Sequence, residues 1–116
     1  MVSAKPTTSK HDRPMKYRIL QLDRDRESVS KNRKMFEPWE VLNKCCGGFD
    51  IRDYKEVYAG DHQTDKSTEV ALDEIFEQFN LRHPEDFRGH SISVSDVVIM
   101  DNEIYFCDSF GWVKVI

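Results

Sequence analysis

The run VVIMDNEIYFCDSFGWVKVI, residues 97–116, decides the fold class. Its first four residues are wholly apolar. Asp101 and Asn102 then make the kind of two-residue turn that closes a hairpin, and residues 103–107 return along the same line. A second turn at residues 108–111 leads into a last strand over residues 112–116, which makes a three-strand meander. Working upstream, ALDEIFEQFN at residues 71–80 places Leu72, Ile75, Phe76 and Phe79 at i, i+3, i+4 and i+7. Asp73, Glu74, Glu77 and Gln78 occupy the other face, so the period is helical. The helix is expected to end near Asn80, with Pro84 beyond it to forbid continuation. An amphipathic helix beside an antiparallel meander reads as an α+β domain.

The N-terminal half completes that plan. YRILQL at residues 17–22 reads as a first strand, although Leu20 and Leu22 stand out of phase with Tyr17 and Ile19. Residues 24–34 are charged and non-periodic and read as a loop with a basic tip. A helix is expected within residues 35–46, carried by Phe36, Trp39, Val41, Leu42 and Cys46, with Pro38 in its first turn and Gly47 and Gly48 to stop it. Tyr54, Val57 and Tyr58 belong to a second strand ending at Gly60. Asp65, Ser67 and Thr68 are candidate caps for the next helix. Ile92 and Val94 alternate with serines, as in a strand or an extended lead-in. The expected architecture is a small, mainly antiparallel sheet with two helices and the C-terminal meander, one domain over residues 17–116 preceded by a disordered basic arm over residues 1–16.

Composition narrows the function classes. The 116 residues carry 39% hydrophobic and 11% aromatic side chains, enough for one modest core. No apolar run approaches the roughly 20 residues that span a bilayer. Three cysteines, two of them adjacent, make no disulfide framework, and with no signal peptide read at the N-terminus a cytoplasmic location is expected. Charge is unevenly placed: residues 1–34 hold ten Lys or Arg against four acids, +6, and residues 35–116 hold seven against seventeen, −10. A basic stretch could contact nucleic acid through Arg24, Arg26, Arg33 and Lys34, although it has few aromatics on which bases would stack.

The densest polar segment is HPEDFRGHSISVSD, residues 83–96. Ser91 or Ser93 with His90 and Asp86, Asp96 or Asp108 supplies the residue types of a nucleophilic triad, but no G-x-S-x-G elbow is present to hold the serine. The alternative is that these groups satisfy the backbone of a long ordered loop. Cys45, Cys46 and Cys107 with His62, His83 or His90 offer zinc-type donors without a C-x2-C pair, so no metal or other cofactor is expected, and Cys46 and Cys107 read as core residues. Phosphate-cradling signatures are absent. Phe110 and Trp112 flank a glycine turn, where one of them could be left exposed as an interface anchor.

Several of these pieces together resemble the YodL-like domain of Firmicutes proteins: YRILQL, FEPWE at residues 36–40, YKEVY at residues 54–58, ALDEIFEQFN, HPEDFRGHSISVSDVV at residues 83–98 and DSFG at residues 108–111. The resemblance spans nearly all of residues 17–116, and its long 83–98 segment is the most specific part. Trp39 stands where that family more often has Tyr. The resemblance implies a cytoplasmic accessory domain of bacteria and their plasmids, conjugative elements or phages, with no catalytic residues to transfer. The expected role is a non-enzymatic module that binds a host or element-encoded protein through Asp86, Arg88, His90, Ser91, Ser93, Asp96, Asp108 and Phe110. The alternatives are a nucleic-acid-associated defence or anti-restriction accessory and, third, a hydrolase centred on His90.

Overall fold

In a computed structural model of the chain, residues 14–63 and 67–115 are described. Five strands form one antiparallel sheet: β1 Pro14–Leu22, β2 Tyr54–Gln63, β3 Val97–Met100, β4 Glu103–Cys107 and β5 Trp112–Lys114, in the order β2-β1-β3-β4-β5. The helices are α1 Glu27–Asn32, α2 Trp39–Cys45 and α3 Thr68–Leu81, with a 3-10 turn at Ile51–Asp53. The expected α+β class and the β3-β4-β5 meander are both present. Asp101 and Asn102 adopt φ of 52° and 69°, the left-handed pair that matches the twist of a two-residue hairpin.

The phase of β1 follows from its position. Side chains alternate across a strand, so Met15, Tyr17, Ile19 and Gln21 share one face while Leu20 and Leu22 share the other. Because β1 lies inside the sheet and both faces are covered near its C-terminal end, all of these residues are buried. On the first face α3 lays Leu72, Ile75 and Phe79, each fully buried, against Tyr17, Ile19, Val98 and Met100. Burying such a side chain is worth about 1.5–3 kcal/mol, so three of them outweigh the tenths of a kcal/mol by which helix propensities differ. On the second face α2 and its flanks pack Leu42, Trp39 and Phe49 onto Leu20, Val97 and Phe106, with the Trp39 and Phe106 rings 5.0 Å apart.

Local signals set most of the boundaries. Ser67 caps α3 by accepting the Val70 N–H at 3.3 Å, while Asp65 lies outside the described residues. Gly47 and Gly48, at φ 88° and 91°, end α2 in a backbone that a side chain would strain. Elsewhere the structure corrects the reading. β1 starts at Pro14, so residues 14–16 belong to the sheet and not to the arm; residues 1–13 lie outside the described residues. The expected loop over 24–34 contains α1, which escapes periodicity because it buries only Val29. β2 continues past Gly60 to Gln63, and residues 91–96 form no strand. Phe36 and Val41 are not core residues: Phe36 is half exposed and Val41 lies on the outer side of α2.

Candidate functional site

The segment between α3 and β3 has almost no regular structure, yet it is fastened at four places. Phe87 is buried against Phe79 at a ring separation of 4.9 Å. Asn80 accepts the Ile92 N–H at 2.7 Å and donates to the Ile92 carbonyl at 3.2 Å, in the manner of a neighbouring strand. Gln21, 2% exposed, accepts the His90 N–H at 3.2 Å and donates to the His90 carbonyl at 2.8 Å and to Asp96 Oδ2 at 3.0 Å. Asp96 Oδ2 also accepts the Ser93 N–H at 2.8 Å. Buried backbone groups need partners, and three polar side chains provide them here. Gln21 and Asn80 were not among the residues singled out from sequence. Gln21 did carry a signal, since it is a polar residue at the inward parity of β1, after Tyr17 and Ile19.

A serine hydrolase triad is not assembled. His90 Nδ1 lies 2.7 Å from the Ser91 carbonyl and 3.3 Å from the Gln21 amide nitrogen, so that edge of the ring is taken up by the loop. Nε2 is buried and without a hydrogen-bond partner among the described residues, on a ring that meets the edge of Phe36 at 5.5 Å. No serine hydroxyl reaches it: Ser93 Oγ donates to the Ser91 carbonyl at 3.0 Å. Asp96 stands 3.9 Å from Nδ1, beyond hydrogen-bonding range. Burial drives the Asp96 carboxyl up to about 7, against the pull of its Ser93 and Gln21 donors. The group therefore gains protons in a dry, neutral setting.

The structure divides the remaining candidates between inner and outer positions. Asp108 is an internal cap: its Oδ1 accepts the Trp39 N–H at 3.1 Å and the Ser109 N–H at 2.8 Å, so the β4–β5 turn serves the start of α2, where Pro38 has no side-chain acceptor. Asp86, Arg88 and Ser91 are exposed, and Phe110 at the tip of the same turn is 97% exposed. Trp112 instead lies against Phe76 and donates its indole N–H to Asp73 at 3.1 Å.

Of the four cations read as possible nucleic-acid contacts, Lys34 is 4% exposed. It donates to Asp53 Oδ2 at 2.7 Å and to the Gly48 carbonyl at 2.8 Å. Arg26 approaches the same carboxylate at 3.5 Å, and Arg24 and Arg33 remain exposed. Burial raises Asp53, but the Lys34 ammonium and the Ser28 hydroxyl overcome it and hold the carboxyl below its usual range. Cys46 and Cys107 are both buried but on opposite faces of the sheet, and Cys45 is exposed. Burial raises both buried thiols, Cys107 to about 12, which makes them poor thiolate ligands. Among the described residues no group of three or more metal-type donors converges, and no helix is long and apolar enough to cross a membrane.

A depression of about 540 Å³ is an open trough on the uncovered half of the sheet. Its cations already pair within the sheet, Lys16 with Asp61 at 3.6 Å and Arg18 with Glu56, which leaves them little to offer a ligand. The described residues thus show a fastened 82–96 loop and a projecting aromatic at Phe110. No curated protein and no solved structure matches the chain. The family model of the YodL-like domain matches residues 16–116, nearly the whole sheet and every helix, and the chain belongs to that family.

Proposed function

We propose that this YodL-like domain is a non-enzymatic interaction module, a cytoplasmic accessory of bacteria or their mobile elements, which engages a partner protein through Phe110. The observation that carries this reading is the 97% exposure of Phe110 on a turn whose backbone is fixed. Asp108 donates its N–H to the Gly111 carbonyl at 2.9 Å and accepts from Trp39 and Ser109, so the ring projects from an anchored base. An apolar group of this size in water is a standing cost that a partner's pocket removes, and a rigid turn lowers the entropy lost on binding. Beside it a cleft of about 160 Å³ between Asp73, Phe76, Cys107 and Trp112 could admit one small partner side chain. The exposed loop residues Asp86 and Ser91 would supply polar contacts.

A photo-crosslinking phenylalanine analogue at position 110, irradiated in a bacterial host lysate, is expected to give a saturable adduct. Unlabelled wild-type protein should compete for it, and the Phe110→Ser protein should not. Replacing a fully exposed side chain changes stability by no more than about 0.5 kcal/mol, so the variant remains a fair competitor. Absence of a saturable adduct, or equal competition by Phe110→Ser, rejects the reading. The nucleic-acid alternative has less support, because Lys34 and Arg26 both face Asp53. Mobility shifts that weaken steeply with salt would revive it.

A further inference from the structure

Three cations line one small cleft, which shares no residue with the one beside Phe110. It measures about 160 Å³ and is lined by Gln21, Arg24, Lys55, Arg88, Gly89 and His90, together with apolar Leu22, Met35 and Val57, and among the described residues no carboxylate lines it. The placement is built into the strand register. Lys55 of β2 stands directly across the ladder from Gln21 of β1. Arg24 follows β1 in a turn closed by the Arg26 N–H to the Asp23 carbonyl at 3.0 Å and the Asp25 N–H to Asp23 Oδ1 at 3.0 Å. Arg88 precedes the residues fastened to the Gln21 amide, and Gly89 lies so close that a Cβ there would sit 2.3 Å from Gln21 Oε1. The three segments that carry these cations thus meet around Gln21, which holds the His90 backbone and faces Lys55 across the ladder.

Among the described residues these cations are also unpaired, as are Lys31, Arg33 and Arg82, but among the unpaired cations only these three line the cleft. Lys16, Arg18, Lys44, Arg52 and Lys114, all at least half exposed, each stand within 3.6 Å of a carboxylate. Arg24, Lys55 and Arg88 have no ion-pair or side-chain hydrogen-bond partner among the described residues, in a chain with 21 acids. Like charges held near one another repel, and an anion between them turns that repulsion into attraction. Two guanidinium forks and an ammonium suit a tetrahedral oxyanion with several acceptor oxygens. The cleft is small beside the roughly 300–1,000 Å³ of sites that enclose a whole organic ligand, so it fits a headgroup.

We propose that the cleft between Arg24, Lys55 and Arg88 binds a phosphoryl group, as inorganic phosphate or as the phosphate of a small phosphomonoester. The intact protein, isotope-labelled, would be titrated at constant ionic strength with inorganic phosphate and with adenosine monophosphate, reading the backbone amides of Lys55, Gly89 and His90 by NMR. Saturable shifts confined to the cleft are expected, with at least tenfold weaker binding by the Arg24→Gln, Arg88→Gln double variant. A Lys31→Gln, Arg82→Gln protein, which loses the same charge elsewhere, should bind like wild type. Tighter binding of the nucleotide would identify the ester as the ligand, and equal affinity the free ion; either supports the site. Matched chloride producing the same shifts, the two double variants weakening equally, or an unphosphorylated thymidine oligonucleotide binding where phosphate does not, would each overturn it. Retention of the wild-type spectrum at Phe79 and Trp39 shows that the variants are folded.

Discussion

Asp53 and Asp96 are buried to the same degree, 2% exposed each, and their surroundings drive them in opposite directions. Asp53 sits at the corner where α1, the 3-10 turn and β2 meet. There it receives an ammonium from Lys34 at 2.7 Å and the Ser28 hydroxyl, with Arg26 nearby, and its carboxyl is held below the ordinary range. Asp96 closes the 82–96 loop, where its donors are a backbone amide and the amide of Gln21, both neutral, and burial drives it up to about 7. A neutral donor relieves part of the desolvation of a carboxylate; a nearby full charge reverses it. The first corner is thus an internal ion pair that stabilises the charged acid, and the second is an anchor that is better off protonated.

Removing the charge partner should produce the largest effect. Lys34→Met leaves Asp53 buried with only Ser28 and Arg26 and is expected to cost about 3–5 kcal/mol in urea unfolding. The Lys34→Met, Asp53→Leu double variant should recover most of that loss. A single-variant loss below about 1 kcal/mol would show that Arg26 replaces Lys34 and that the pair is not what holds the corner.

At Asp96 the comparison is tested by pH. Its folded pKa lies above the unfolded value of about 3.9, so its stabilisation is complete below pH 4 and is lost as pH rises through 7. Three units at about 1.4 kcal/mol each set a ceiling of about 4 kcal/mol on that loss. Asp96→Asn cannot ionise, so its stability relative to wild type should climb between pH 4 and 8. Parallel curves would mean that the carboxylate keeps its charge without cost. Asp53 has the opposite sign and weakens the fold only as pH falls below about 4, outside this window.

A smaller effect tests whether the loop anchor is rigid. In Gly89→Ala the new Cβ would meet Gln21 Oε1 at 2.3 Å and Phe87 Cζ at 3.1 Å, and Gln21 cannot turn away without losing three hydrogen bonds. A loss of about 1–3 kcal/mol is expected, with faster hydrogen exchange at the His90 and Ile92 amides. Unchanged exchange would show that the loop yields freely and that Gln21 does not organise it.

How much of this was legible follows from how far each signal reaches along the chain. The α3 helix and the β3-β4-β5 meander could be read because their patterns repeat over ten or more residues and their turns have their own chemistry. The helix α1 could not, since one buried valine in six residues makes no period. Of the cations expected to face a partner, Lys34 faces Asp53, nineteen residues away. Asp108, expected at a surface, caps a helix 69 residues upstream. The sequence leaves Phe110 and Trp112 as alternatives, and only the packing of Trp112 on Phe76 and Asp73 decides which of the two projects.

By itself the sequence determined the class of fold, the order of most of its elements and the family to which it belongs, because hydrophobic period and turn residues are local and repeated. Tertiary structure alone decided which charges are internal and which are free. The reach of a carboxylate or an ammonium is a few ångströms in space and unrestricted along the chain. So Lys34 and Arg24, ten positions apart in one basic stretch, end respectively in a buried ion pair and at the rim of an unpaired cationic cleft.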